Sequence, residues 1–158
     1  MKFLVTYRPA KPEDKEEILA LFPELADFDI PIQRIAKHLW MGDADLLCSI
    51  LEKKSAVTFA DVAVHEEGTI MGVIMVTLRE ELLSHDPSAH LETIIVAPEA
   101  RGHGLGSCLL ERAEQRVMEL GAKSLTLHVF SNNVRARTLY KKHGYEEELL
   151  RCIKWFKP

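Results

Sequence analysis

Short segments rich in apolar residues predict a series of strands along the chain. Strands are predicted over residues 3–8, 56–65, 70–78, 90–96 and 124–130, and in the last of them apolar and polar residues alternate, so that successive side chains point to opposite faces. The turn Glu66-Glu67-Gly68 joins two of them as a β-hairpin. Residues 145–156 predict one more strand at the end of the chain.

Apolar residues at helical spacing predict helices between these strands. The clearest set recurs at steps of four and consists of Leu105, Leu109, Ala113 and Val117. An acidic first turn favours a helix over 12–23, and a basic last turn favours one over 133–142. The segment 24–55 is weakly patterned and predicts one or two helices, over 32–39 and 46–53, separated by Met41-Gly42-Asp43. Residues 80–89 predict a polar loop in which Pro87 prevents a strand from continuing.

Length and composition limit the class of protein. The 158 residues, 47% of them hydrophobic, suffice for one core, so we expect a single domain over 1–158 with a mixed α/β (α+β) fold. A net charge of −4 with interspersed signs argues against a nucleic-acid partner. No stretch approaches the roughly 18 apolar residues of a membrane span. Three widely spaced cysteines and histidines without ligand spacing favour a cytoplasmic protein with no metal.

The segment Arg101-Gly102-His103-Gly104-Leu105-Gly106 lies between a predicted strand and a predicted helix. Glycines let the backbone approach an anion closely, and a helix N-terminus offers unpaired N–H groups and a positive dipole end. The segment therefore predicts a pyrophosphate site, with a glycine-rich surface turn as the alternative interpretation.

Three cofactor motifs share such a segment. A Walker loop requires a lysine that is absent here, and a dinucleotide fingerprint requires a third glycine, whereas Gly106 is followed by Ser107-Cys108-Leu109. The spacing Arg101-x-x-Gly104-x-Gly106 remains, which serves the pyrophosphate of coenzyme A.

A second motif, Asn133-x-x-Ala136-x-x-Leu139-Tyr140-x-x-x-Gly144-Tyr145, lies downstream. Together with Leu91-x-x-Ile94-x-Val96-x-Pro98-x-x-Arg101-x-x-Gly104-x-Gly106, it resembles the GCN5-related N-acetyltransferase (GNAT) superfamily, most specifically over residues 90–145. The resemblance implies a central mixed, mostly antiparallel twisted sheet of six to seven strands with about four flanking helices. It also implies a bulge that splays the strand 90–96 from the strand 124–130.

The resemblance implies acetyl-CoA as co-substrate, with its pantetheine arm in the gap between those two strands. Backbone groups of Ile94, Ile95 and Val96 would bind the arm, and one N–H would stabilise the oxyanion. The implied cofactor-binding residues are Ile94, Ile95, Val96, Arg101, Gly102, His103, Gly104, Leu105, Gly106, Ser107, Asn133, Ala136 and Tyr140. Arg101 would act largely through backbone geometry, and Asn133 can equally cap its helix.

Tyr140, Glu92 and His90 are the candidate catalytic residues. The resemblance implies that the Tyr140 hydroxyl lies near the CoA sulfur as a general acid, although its spacing also suits a core aromatic residue. An alkyl ammonium of pKa about 10.4 is neutral only about one part in a few thousand at pH 7, so a base is needed. Glu92 and His90 share one strand face. Glu92 resembles the glutamate of polyamine-type members, whereas His90 occupies a position where other members carry glutamate, so we favour Glu92.

The implied function is transfer of an acetyl group from acetyl-CoA to a primary amine of a small molecule or peptide, by direct attack in a ternary complex. Two alternatives are a non-catalytic acyl-CoA-binding module of the same fold and a transferase for longer acyl-CoA. Acidic side chains within 24–55 and 80–89 would attract a cationic acceptor. Many relatives form homodimers, and no motif here specifies one.

Overall fold

Five strands form one mixed sheet in the computed structural model, which describes residues 4–158. In chain order they are β1 (Val5–Pro9), β2 (Thr58–His65), β3 (Ile70–Glu80), β4 (Pro87–Val96) and β5 (Leu125–Leu127). Each strand pairs with the next one along the chain, antiparallel except for the parallel pair of β4 and β5. The predicted mixed and mostly antiparallel α/β architecture is confirmed.

Helices cover both faces of this sheet. The α-helices are α1 (Lys15–Leu21), α2 (Met41–Leu51), α3 (Leu105–Glu119) and α4 (Val134–Lys142), and short 3-10 helices span Pro12–Asp14, Phe22–Ala26, Ala36–Leu39 and Pro98–Ala100. One core lies between the sheet and α1 with α2, and the other lies between the sheet and α3 with α4. Strands β2 and β3 are buried on both faces because neighbours such as Val73 and Ile74 enter different cores. None of the helices in residues 4–158 has the length and apolar content to cross a membrane.

Several predicted boundaries are wrong. Strand β4 begins at Pro87 and not at residue 90, because proline lacks only a donor and is tolerated as the first residue of a strand. Met41, Gly42 and Asp43 open α2 and do not separate two helices. Strand β5 has three residues in place of the predicted seven. Residue 3, the start of the first predicted strand, lies outside the described residues.

The predicted last strand over 145–156 is not formed, so the described residues contain five strands and not six to seven. Three successive carboxylates, from Glu146 to Glu148, are followed by the adjacent apolar pair Leu149 and Leu150. This order presents no consistently apolar face that a sheet could bury. Leu150 is accordingly 88% exposed and Phe156 83% exposed.

Candidate active site

Strand β4 carries an extra residue at Glu92. Thr93 pairs with Met75 of β3 and Leu91 pairs with Val76, so Glu92 has no partner across the ladder. Such a bulge places two successive side chains on one face and bends the strand. Leu91 enters the core beneath α3, whereas Ile95 enters the core beneath α1 and α2. His90, Glu92 and Thr93 therefore share the face that is covered by α1 and α2.

The two parallel strands separate at the same point. Pairing between β4 and β5 covers only Ala89, His90 and Leu91, opposite residues 125–127. Beyond Leu91 the β5 side of β4 is open, although β4 continues to pair with β3 as far as Val96. The gap predicted between the strands is therefore present and begins where the bulge lies.

The glycine-rich segment connects the end of β4 to α3. Gly102 and Gly104 have φ angles of +80° and +79°, a left-handed region that strains other residues. A Cβ atom at either position would meet nothing within 4 Å, so the space in front of the loop is open. The first helical hydrogen bond runs from the N–H of Cys108 to the carbonyl of Gly104, which leaves the amides of Leu105, Gly106 and Ser107 without an intrahelical acceptor. These residues form a cradle that suits an anion.

The Arg101 side chain is engaged by the protein itself. Its guanidinium donates to Asp27 at 2.9 Å and to Glu24 at 3.1 Å, and its Nε donates to the carbonyl of Val96 at 3.2 Å. Asp27 also lies 3.6 Å from Arg135 of α4. Arg101 thus connects the end of β4 to the 3-10 helix Phe22–Ala26, which agrees with a role through backbone geometry. His103 is exposed next to it.

Helix α4 lies against the start of α3. A Cβ atom on Gly106 would lie 3.5 Å from Leu139 of α4 and 3.7 Å from Val96 of β4, so these three elements meet there. Ser107 and His143 are hydrogen bonded at 2.9 Å. The Asn133 side chain accepts from the N–H of Ala136 at 3.3 Å, which is the capping role that its sequence position allowed.

Tyr140 lies in the core beside α3 and is 7% exposed. Burial raises the pKa of its hydroxyl to about 12. The ring of Tyr145 lies 5.8 Å away, edge to face, and its hydroxyl donates to Glu114 at 3.0 Å. Burial is also the main cause that raises the pKa of Tyr145. Tyr140 therefore keeps its proton throughout the ordinary working range of pH.

His90 is 5% exposed and neutral. Burial, together with the nearby charges of Arg79 and His128, lowers its pKa to about 4. Its Nδ1 lies 3.1 Å from the Arg79 guanidinium and 2.8 Å from the Thr126 hydroxyl. Because a guanidinium can only donate, Nδ1 is the acceptor and the ring proton lies on Nε2. The ring then has no free lone pair with which to accept a proton from a substrate.

The sheet face beneath α2 also carries two groups that sequence reasoning did not connect. Asp43, in the first turn of α2, interacts with Glu92 and with the Thr93 hydroxyl. Burial is the largest cause that raises the pKa of Asp43; the Thr93 hydroxyl lowers it and the Glu92 charge raises it. Thr93 is one of three buried polar residues of β4, with Ser88 and His90, and its position beside Asp43 is visible only once the bulge is known.

Comparisons with known proteins point to one family. A model described as the Acetyltransferase (GNAT) family matches residues 22–145. The uncharacterized N-acetyltransferase YhfO of Bacillus subtilis is 31% identical over 141 residues, which cover 89% of each chain. A solved structure from Pyrococcus furiosus, provisionally assigned as an acetyl transferase, has a TM-score of 0.77 at 26% identity and covers 96% of this chain and 99% of its own.

A more distant solved structure shares the fold. AAC(6')-Iy in complex with the bisubstrate analog CoA-S-monomethyl-acetylneamine has a TM-score of 0.70 at 20% identity, over 98% of each chain. The family model spans most of the residues, including the bulge, the open strand edge and the glycine-rich loop. The chain therefore belongs to the GNAT family of acetyltransferases.

Proposed function

We propose that the protein transfers the acetyl group of acetyl-CoA to a primary amine, which attacks the thioester directly in a ternary complex. One observation carries the proposal: the bulge at Glu92, the end of strand pairing at Leu91 and the anion cradle after Val96 all lie along β4. A single strand thus leads from a carboxylate, along an unpaired edge, to a phosphate-binding loop.

The cradle and the open edge would hold acetyl-CoA. The left-handed Gly102 and Gly104, together with the amides of Leu105, Gly106 and Ser107, suit its pyrophosphate, with His103 at the rim. Backbone groups of Ile94, Ile95 and Val96 on the unpaired side of β4 would bind the pantetheine arm, and one N–H would stabilise the oxyanion. Asn133 and Ala136, at the start of α4, border the same space.

The reaction removes two protons from the acceptor nitrogen and stabilises one leaving group. The acceptor ammonium would lose its first proton to Glu92, directly or through water, and the neutral nitrogen would attack the thioester carbonyl carbon. The carbon–nitrogen bond forms, the carbon–sulfur bond breaks, and the CoA thiolate departs toward the Tyr140 hydroxyl. The nitrogen loses its second proton as the intermediate collapses, and this proton passes to the departing sulfur or to water. Between the two candidate bases the geometry favours Glu92, because the Nδ1 lone pair of His90 is already engaged by Arg79.

Thiol release from acetyl-CoA by the purified chain tests the proposal. The acceptors are propylamine, 1,3-diaminopropane and β-alanine, which share a three-carbon chain and differ in charge. Glu92→Gln should lower kcat by about 10²–10⁴-fold, the usual contribution of a positioned general base. Glu16→Gln is the matched control, because Glu16 is an exposed carboxylate on α1.

Three outcomes would contradict parts of the proposal. Tight binding of CoA without turnover of any amine would favour a non-catalytic acyl-CoA-binding module. Faster turnover with a longer acyl-CoA than with acetyl-CoA would favour a different acyl donor. Equal rates for the Glu92 and Glu16 variants would remove Glu92 as the base.

A further inference from the structure

Buried aspartates in this protein are paired with arginine. Asp14 is 7% exposed and binds Arg8 at 2.7 Å, and Asp61 is 2% exposed and binds Arg116 at 3.2 Å. Two more accessible aspartates are also paired, Asp27 with Arg101 and Asp86 with Lys123. This is the expected arrangement, because burying a carboxylate without a cation is costly.

Asp43 departs from this arrangement. It is half-buried in the first turn of α2 and faces Glu92, a second carboxylate, from across the sheet surface. Within residues 4–158, neither Asp43 nor Glu92 forms an ion pair with a lysine, arginine or histidine. Burial and the Glu92 charge both raise the pKa of Asp43, as expected of two carboxylates that lack a cation.

A buried hydroxyl is directed at the same place. Thr93 is 2% exposed, and its Oγ1 makes no hydrogen bond of ordinary geometry with any described residue. The hydroxyl is nevertheless close enough to the Asp43 carboxyl to lower its pKa, so it faces that carboxyl. Buried hydroxyls are almost always paired, and an unpaired one beside two unpaired carboxylates indicates a missing partner.

We propose that Asp43, Glu92 and Thr93 together bind the ammonium group of the acceptor, and that Asp43 restricts the acceptors to cationic amines without a carboxylate near the reacting nitrogen. This inference rests on the proposed transfer to an amine and adds the residue that selects the amine. An ammonium group has three donors and one positive charge, so it satisfies both carboxylates and the Thr93 oxygen at once.

The two carboxylates have different roles in this arrangement. Glu92 lies at the bulge, at the start of the open strand edge, and takes the proton. Asp43 holds the cation in place from α2 and, because the charge that it binds is present before the reaction, contributes mainly to acceptor binding. A zwitterion such as β-alanine brings a third carboxylate and is repelled.

The test compares Asp43→Asn with Asp45→Asn, a matched control in the same helix. Asp45 is exposed on α2, so the two substitutions make the same chemical change on the same element. Asp43→Asn should raise KM for 1,3-diaminopropane by about 10- to 100-fold while kcat changes less than threefold, since a charge-assisted hydrogen bond is lost. The preference for 1,3-diaminopropane over β-alanine should also become smaller in Asp43→Asn. Asp45→Asn should leave both constants unchanged.

A binding measurement separates this inference from the proposed function. Calorimetric titration of 1,3-diaminopropane into the CoA complex of each variant reports acceptor binding without turnover. Binding that depends on Asp43 in a protein without turnover would support the ammonium site and refute the transferase. Turnover with equal KM in both aspartate variants, or a wild-type preference for β-alanine, would refute the ammonium site alone. Neither binding nor turnover would refute both.

Misfolding does not account for the expected loss. Asp43→Asn removes a desolvated charge that has no cation, so its melting temperature should equal or exceed that of the wild type. A variant with an unchanged melting temperature and a raised KM supports the site, whereas a lowered melting temperature would show that Asp43 has a structural partner and would overturn it.

Discussion

Replacing Tyr140 by phenylalanine removes one hydroxyl from a buried ring and tests its proposed role in the departure of the CoA sulfur. Burial raises the pKa of this hydroxyl to about 12, whereas an ordinary thiol has a pKa of about 8.5. Complete proton transfer from the phenol to the thiolate is therefore uphill by about 5 kcal/mol, at 1.36 kcal/mol for each pKa unit. We infer that Tyr140 stabilises the departing thiolate by a hydrogen bond and keeps most of its proton.

The strength of a hydrogen bond to the thiolate sets the size of the effect. A hydrogen bond to a charged group contributes about 1.5–3 kcal/mol, so Tyr140→Phe should lower kcat by about 10- to 150-fold, with KM for the amine unchanged. Tyr145→Phe is the matched control on the neighbouring ring. It removes the hydrogen bond to Glu114, should lower the melting temperature by about 2–4 °C, and should leave kcat unaltered.

Thiol release, followed at saturating acetyl-CoA with 1,3-diaminopropane as acceptor, measures both variants. A loss smaller than threefold in Tyr140→Phe would place the hydroxyl away from the sulfur. A loss beyond about 10⁴-fold would indicate full general-acid catalysis and would refute the argument from the raised pKa. Equal losses in the two tyrosine variants would indicate a packing effect.

Four further substitutions test other parts of the structure. Thr93→Val should raise the free energy of unfolding by about 1 kcal/mol in urea titrations, because it removes an unpaired buried hydroxyl. It should also raise KM for 1,3-diaminopropane. A loss of stability would contradict the absence of a hydrogen-bond partner for Thr93. Gly104 and Gly68 both have a left-handed φ and open space around an added methyl group. Replacing either by alanine should lower the free energy of unfolding by about 1 kcal/mol. Only Gly104→Ala should raise KM for acetyl-CoA. Asp61→Asn should lower the free energy of unfolding by about 1–3 kcal/mol. The loss is smaller than for a fully buried pair because the Arg116 side chain is 41% exposed. An unchanged urea midpoint would show that the pair adds nothing to stability.

Local signals in the sequence predicted the parts of the fold that depend on nearby residues. The four-step repeat that begins at Leu105 and the cap at Asn133 lie where the pattern predicted them, because helix periodicity and capping are decided within a few residues. Gly42 was expected to interrupt a helix and does not. Packing of the helix against the sheet outweighs the low helix propensity of one glycine.

The glycine-rich loop of the candidate site was predictable, and the surroundings of Glu92 were much less so. The anion cradle is a contiguous motif whose meaning follows from glycine and a helix start. The proximity of Asp43 to Glu92 depends on how α2 is placed over the bulge, and the ion pair of Arg101 with Asp27 joins distant segments. Neither contact leaves a pattern in the sequence, and the unpaired Thr93 hydroxyl is recognisable only in three dimensions.

The extra residue at position 92 also determines the sheet face to which each later side chain of β4 points. Without it, Ile95 would turn out of the core beneath α1 and α2, and Ile94 would turn into that core. The location of the proposed base and the filling of both hydrophobic cores are therefore specified by one backbone feature. Selection for a stable protein preserves the placement of Glu92, so under the proposed function the acceptor could change through residues on α2 without any change in β4.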